Sequence, residues 1–277
     1  MHVKKNNIEC AFNIVTTGDN PICMDKTSMD ALYKFAKNIK KMDVSSPSDA
    51  IDKLKNDSGC KTESCLLNKS DIRNVIGVEN AETQLNTRFK PIGPYEGSDW
   101  FSNEHIDGVL RQMYKEYKTK GFKHIPFQMR DFESTHGELS KVDFVEEYNS
   151  GTKSIGVVFN TDYSSGRGKH WYSIFIDMRN EPITIEYFNS SGEDPQDEIR
   201  SWMKKTKHNM EKELGKKVDD VIVSKIQHQR DNHSCGSYSI YYIVSRLEDV
   251  PYMVFSKKRI PDELMHKFRF SLFRKEK

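Results

Sequence analysis

Three runs in the second half of the chain, "KSIGVVFN", "HWYSIFIDMR" and "EPITIEYFNS", are apolar, β-branched and aromatic, with glycine, serine, asparagine and proline between them. Runs of this length and composition, bounded by turn residues, read as successive strands. The segments C-terminal to them narrow the fold further. "DEIRSWMKKTKHNMEKELG" is periodic like a helix and ends on glycine, "DDVIVSKIQHQ" reads as another strand, and the segments beginning at Cys235 and at "PDELMHKFRFSLF" read as helices, the latter with proline at its start. Before the strands, "HIDGVLRQMYKEYKTKG" reads as a helix stopping at Gly121. Strands followed by a helix, a strand and more helices predict an α+β layered fold, a sheet flanked by helices rather than a bundle.

The first part of the chain differs. Up to about Arg88 it is rich in Lys, Asp, Asn and Ser, with helical patches such as "SMDALYKFAKNIKKM" and few residues suited to a strand core. "KPIGPYEGSDW" then supplies two prolines and two glycines, which marks a linker. The boundary is placed near Lys90, giving a helical arm over residues 1–89 and a core over residues 90–277. The formal charge of +2 offers no argument for nucleic acid as a partner. No apolar run approaches the roughly 20 residues of a membrane-spanning helix, so the expectation is a soluble protein. The five cysteines are odd in number and spread out, and no signal-like segment precedes them, which fits a reducing, cytosolic setting. "CKTESC", with Cys60 and Cys65, lacks the paired spacing and histidines of a zinc site, so neither metal nor cofactor is expected.

Against that background "HQRDNHSCGSYSIYYIVSRL" raises a chemical question. Cys235 stands before a glycine where a helix begins, and unpaired N–H groups at a helix N-terminus favour a thiolate. A lone cysteine there is also an ordinary core residue, so partners decide. His170, in "GRGKHWYSIFI", sits at a strand start after a glycine-rich turn, where it can take a thiol proton and return it to a leaving amine. The other histidines lie in helical, loop or terminal settings, or, like His228 and His233, too near Cys235 in sequence to be its base. Asn189, in "IEYFNSSG", ends the following strand and offers a carbonyl to orient the imidazole, although Asn-Ser-Ser-Gly also makes a plain turn. Glu186 is the alternative orienter. Gln229, six residues before the cysteine, supplies an amide donor that can join the Cys235 backbone N–H in holding an oxyanion.

In this order the residues resemble the Ulp/adenain-like clan of cysteine proteases. "YSSGRGKHW", "IEYFNSSG", "HQRDNHSCG" and "HKFRFSLFR" are similar to blocks of its viral polyprotein-processing members. The resemblance implies His170, Asn189 and Cys235 as a triad, and Gln229 with Cys235 as the oxyanion site. The wider clan carries Asp where this chain has Asn189. In Ulp-type enzymes a Trp after the histidine and a second in a Trp-Leu-Asn-Asp motif narrow the site to Gly-Gly, and Trp171 and Trp100 ("DWFSNEHIDGVL") stand at similar places. Plain core packing is the alternative for both. The implied activity is cleavage of viral polyprotein precursors after Gly-Gly, in the host cytoplasm and virion. Two other readings stay open: a deconjugating isopeptidase for a ubiquitin-like protein, and an acyltransferase of the bacterial effector type, which would carry Glu at the middle position.

Overall fold

A computed structural model describes residues 9–11, 22–95 and 98–275 of the chain. Cap residues start the first helices where the sequence offers them. The Asp25 carboxylate accepts the Ser28 N–H at the head of α1 (Lys26–Asn38), Ser46 does the same for α2 (Pro47–Asp57), which has proline in its first turn, and Thr62 for α3 (Glu63–Leu67). Next come α4 (Ser70–Ile76) and α5 (Val78–Thr87). Leu32, Ile51, Leu54, Leu67, Ile72 and Phe89 meet in one apolar cluster, so these lysine-rich helices are amphipathic and bury one side. Four of the five cysteines are paired here, Cys10 with Cys23 and Cys60 with Cys65, and Cys235 is the free thiol.

The chain divides into two compact units, one over Glu96–Arg269 and one over His2–Tyr95 with Phe270–Lys277. A boundary near Lys90 places residues 90–95 and the C-terminus with the core, whereas here residues 90–95 and 270–275 belong with the N-terminal helices. The reason is hydrogen bonding by Arg274: its N–H donates to Pro91 O and its guanidinium Nε to Lys90 O, at 3.0 and 2.7 Å. No local pattern announces a pairing across so many residues.

In the unit over Glu96–Arg269, α6 (Asn103–Tyr117) precedes the short strands β1 (Phe122–His124) and β2 (Gln128–Met129), then α7 (Phe144–Asn149). The three runs read as strands are β3 (Ser154–Asn160), β4 (Trp171–Asp177) and β5 (Ile183–Phe188). They are followed by α8 (Asp197–Leu214), β6 (Val218–Ile222), α9 (Cys235–Leu247), α10 (Met253–Lys257) and α11 (Asp262–Leu272). β3, β4 and β5 are antiparallel neighbours, β1 and β2 pair parallel with β3, and β6 pairs parallel with β5, making a mixed sheet. Every residue of β3, β4 and β5 is buried, because both faces are covered. Val157, Phe159, Ile174 and Tyr187 pack with Trp202 and Met203 of α8 on one face. On the other, Phe188 stacks on Tyr242 of α9 at 4.6 Å. The α+β expectation is met. β6 is shorter than the strand read from "DDVIVSKIQHQ", since His228 and Gln229 turn back to donate to Ser190 O. No helix among the described residues is long and apolar enough to cross a membrane.

The α9 face holds a buried ion network. Arg246 donates from Nε to Glu186 Oε2 (2.8 Å) and from Nη2 to Glu186 Oε1 (2.9 Å) and Asp177 Oδ2 (2.7 Å), and Glu186 is wholly buried. Arg246→Met leaves that carboxylate without its cation, so about 3–5 kcal/mol of unfolding free energy is expected to be lost. Urea unfolding measures it, and a loss under about 1 kcal/mol would contradict the role assigned to this network.

Candidate active site

The turn between β3 and β4 places His170. Asn160 Oδ1 accepts the Asp162 and Lys169 N–H groups at 2.9 and 3.0 Å, Asp162 Oδ2 accepts the Gly168 N–H, and Gly168 adopts a positive φ of 89°. The Thr161 N–H donates to His170 O, fixing the histidine one residue ahead of β4. Hairpin pairing sets Ser173 opposite Phe188, which carries Asn189, one residue past β5, to the same end of the sheet.

There the His170 imidazole meets Asn189 at 2.7 Å between Nε2 and Oδ1. The Asn189 Nδ2 group donates to the Tyr187 hydroxyl at 3.1 Å, which turns the carbonyl toward the ring. Since that oxygen only accepts, Nε2 carries the proton and Nδ1 is left with the lone pair of a base. Burial lowers the His170 pKa, opposed by the Asn189 contact and by Glu193. Glu186 does not orient the ring. Its carboxylate is turned to α9 and held by Arg246, Tyr242 and Thr184.

Cys235 opens α9 and is 3% exposed. Burial pushes its thiol up, while the backbone N–H groups of Trp171, Gly236 and Cys235 itself draw it down. The Trp171 contact sets the sulfur against the residue that follows His170. Gly236 is required by packing: a Cβ there would lie 2.6 Å from the Phe101 ring. Burial disfavours both charges of a thiolate–imidazolium pair, and Asn189, unlike a carboxylate, adds no anion to support the imidazolium. Asn189→Asp supplies that anion. It should raise the His170 pKa, so that the neutral base is lost at higher pH and the acid limb of kcat/KM moves upward. Matched pH profiles test this, and an unmoved limb would break the link between His170 and that limb.

Gln229 is buried and doubly held. Its Oε1 accepts from Ser190 Oγ (2.9 Å) and its Nε2 donates to Asp231 O (3.0 Å), with Asp231 Oδ1 at 3.3 Å. Sequence reasoning missed Ser190 and Asp231, although one follows Asn189 directly and the other stands between Gln229 and Cys235. Asp231 also organises the loop before Cys235, accepting the His233 and Ser234 N–H groups at Oδ1 and the Ser234 hydroxyl at Oδ2. His228, set aside as a base, accepts the Ile260 N–H at Nδ1 and contacts Ser224 Oγ through Nε2. His2 lies outside the described residues.

Trp171 and Trp100 are brought to one place. Both line a cavity of about 430 Å³, with Ser102, Glu104, Asn160 and Arg167 among its walls. They differ in setting. Trp171 is 4% exposed, with its indole N–H donated to Phe101 O at 3.0 Å, while Trp100 is 51% exposed. Core packing accounts for Trp171 in part and for Trp100 poorly.

Residues 105–277 match the model of the Ulp1 protease family, C-terminal catalytic domain. The SUMO-1 cysteine protease of African swine fever virus, from a warthog isolate, is 38% identical over 231 residues, 78% of this chain and 84% of that protein. Its counterpart from the Badajoz strain, named simply a cysteine protease, gives the same figures. The crystal structure of the protease from that virus superposes with a TM-score of 0.79 at 32% identity, over 97% of this chain and 96% of that one.

Proposed function

This chain belongs to the Ulp1 family of cysteine proteases, and from that premise we propose that it cleaves viral polyprotein precursors after Gly-Gly during virion maturation, in the host cytoplasm and the virion. The observation that carries the proposal is the cavity walled by Trp100 and Trp171, in which the second indole directly follows His170. Two flat rings over a substrate backbone leave room for residues without a Cβ and exclude the rest.

The chemistry then runs from the residues already placed. His170 Nδ1 takes the Cys235 proton as the sulfur attacks the carbonyl carbon of the second glycine. One of the two Nε2 hydrogens of Gln229 and the Cys235 backbone N–H receive the oxyanion. When the tetrahedral intermediate collapses, the C–N bond breaks and His170 returns the proton to the leaving amine. A water, deprotonated by the same imidazole, releases the thioester as a carboxylate and restores the thiol.

Gly-Gly-X and Gly-Ala-X peptides test the selectivity. The wild type is expected to lose on the order of 10²-fold or more in kcat/KM on the alanine peptide, because a close-packed site has no volume for the methyl. Trp171→Ala should narrow that ratio while slowing Gly-Gly cleavage. Equal cleavage of both peptides by the wild type would overturn the proposal. A second reading is favoured by the name of the viral relatives, SUMO-1 cysteine protease: a ubiquitin-like protein ending in Gly-Gly would thread the same cavity, making the enzyme a deconjugating isopeptidase. Release of a ubiquitin-like protein from a lysine conjugate, measured beside cleavage of a linear Gly-Gly-X precursor, separates the two.

A further inference from the structure

Between Gln229 and Cys235 the loop carries two groups the cleavage reaction does not use as acid or base, Asp231 and His233, and α11 brings His266 against them. Asp231 Oδ2 lies 2.8 Å from His266 Nε2 and 3.5 Å from His233 Nε2, and all three ligand atoms fall within 4.8 Å of one another. The two imidazoles stack, with centroids 5.3 Å apart and planes 14° from parallel. A tetrahedral ion with bonds of about 2.0–2.1 Å needs ligand atoms about 3.3 Å apart. The cluster needs only small adjustments to reach that spacing.

Its surroundings also suit a metal. His233 Nδ1 sits 3.3 Å from Asn232 Oδ1, so its N–H is donated there and Nε2 keeps the lone pair that faces Asp231. Asp231 Oδ1 is held by two backbone N–H groups, which orients the carboxylate and leaves Oδ2 toward the histidines. The His266 side chain is 45% exposed, which gives an ion a path in. The neighbouring Arg269 is an opposing charge, but its guanidinium is turned to carbonyls, Asp99 O at 2.9 Å and His233 O at 3.3 Å.

We propose that Asp231, His233 and His266 form a binding site for a divalent cation of the zinc class, and that the bound ion inhibits the protease by pinning the nucleophile loop to α11. Two imidazoles and one carboxylate suit Zn²⁺ or Co²⁺ rather than Ca²⁺ or Mg²⁺, which take oxygen ligands. Binding draws Asp231 Oδ2 away from the Ser234 hydroxyl, one residue before Cys235, and strains the Gln229 contact to the same residue.

The catalytic thiol and His170 are an obvious competing zinc site, so the binding arm uses the full-length chain with Cys235→Ser. Titrated with Co²⁺, this protein is expected to show visible d–d bands of tetrahedral strength at one ion per chain, without thiolate charge-transfer absorption. Adding His266→Ala or His266→Gln should weaken binding by more than the about 10–100-fold that loss of an outer-shell partner costs. No d–d spectrum, or one unchanged by both His266 variants, would overturn the site. In the otherwise unaltered enzyme, His266→Gln should keep its peptide cleavage and need at least ten times more Zn²⁺ for half-inhibition. Equal zinc sensitivity would remove the inhibitory role. The cobalt arm reads no cleavage, so its outcome is independent of the proposed substrate.

Discussion

Cys235→Ala and His170→Ala are each expected to reduce kcat/KM on a Gly-Gly-X peptide by on the order of 10⁴-fold or more, because members of a nucleophile–base pair act as a unit and losing either removes the whole covalent route. Neither change should unfold the protein. Cys235 lies at the head of α9, where its backbone contacts persist in alanine, and His170 precedes β4 in a turn held by Asn160 and Asp162 rather than by the imidazole. Circular dichroism and thermal unfolding establish that the fold is kept. The double variant should be no worse than either single one. A folded His170→Ala enzyme within about tenfold of wild type would mean that another group takes the thiol proton, and the assignment of the base would fall.

Gln229→Ala is expected to lower kcat by about 10²–10³-fold with KM nearly unchanged, since an oxyanion donor acts on charge present only in the transition state. This structure adds a complication that the residue type does not reveal. The Gln229 amide bonds to Ser190 and Asp231, so alanine also releases the loop that carries Cys235. Gln229→Glu keeps an acceptor for the Ser190 hydroxyl but sets an oxygen where the donor faces Asp231 O and Oδ1, so it loses the donor and disturbs the loop as well; it should lose at least as much in kcat as alanine does. Near wild-type kcat with raised KM in either variant would move Gln229 from the oxyanion to ground-state binding.

The central strands were legible in the sequence because a sheet covered on both faces needs apolar and aromatic residues at nearly every position. "SIGVVFN", "WYSIFID" and "ITIEYF" leave no other reading. His170 and Asn189 were legible for a related reason: hairpin register carries residues at adjacent strand ends together whatever the turn between them contains. β1 and β2, three and two residues long, were not, since neither is long enough to repeat an alternation. Glu186 shows the limit of residue type. As a carboxylate near the end of β5 it competed with Asn189 for the imidazole, and Tyr242 and Arg246, nearly sixty and sixty residues on, explain why it faces away. His266 and Arg274 belong to the same class. Their partners, Asp231 in one case and Lys90 and Pro91 in the other, are distant in sequence, and no local pattern marks such contacts.

The most direct measurement uses a peptide ending in Gly-Gly-vinyl methyl ester, which a nucleophilic thiol at the cleavage position adds to irreversibly as a thioether. Intact-mass and peptide-mapping spectrometry should find one adduct per chain, on Cys235, formed much more slowly after His170→Ala and barely at all with the Gly-Ala analogue. An adduct on any other residue, or equal labelling by the Gly-Gly and Gly-Ala probes, would contradict a glycine-selective cysteine protease built on His170, Asn189 and Cys235.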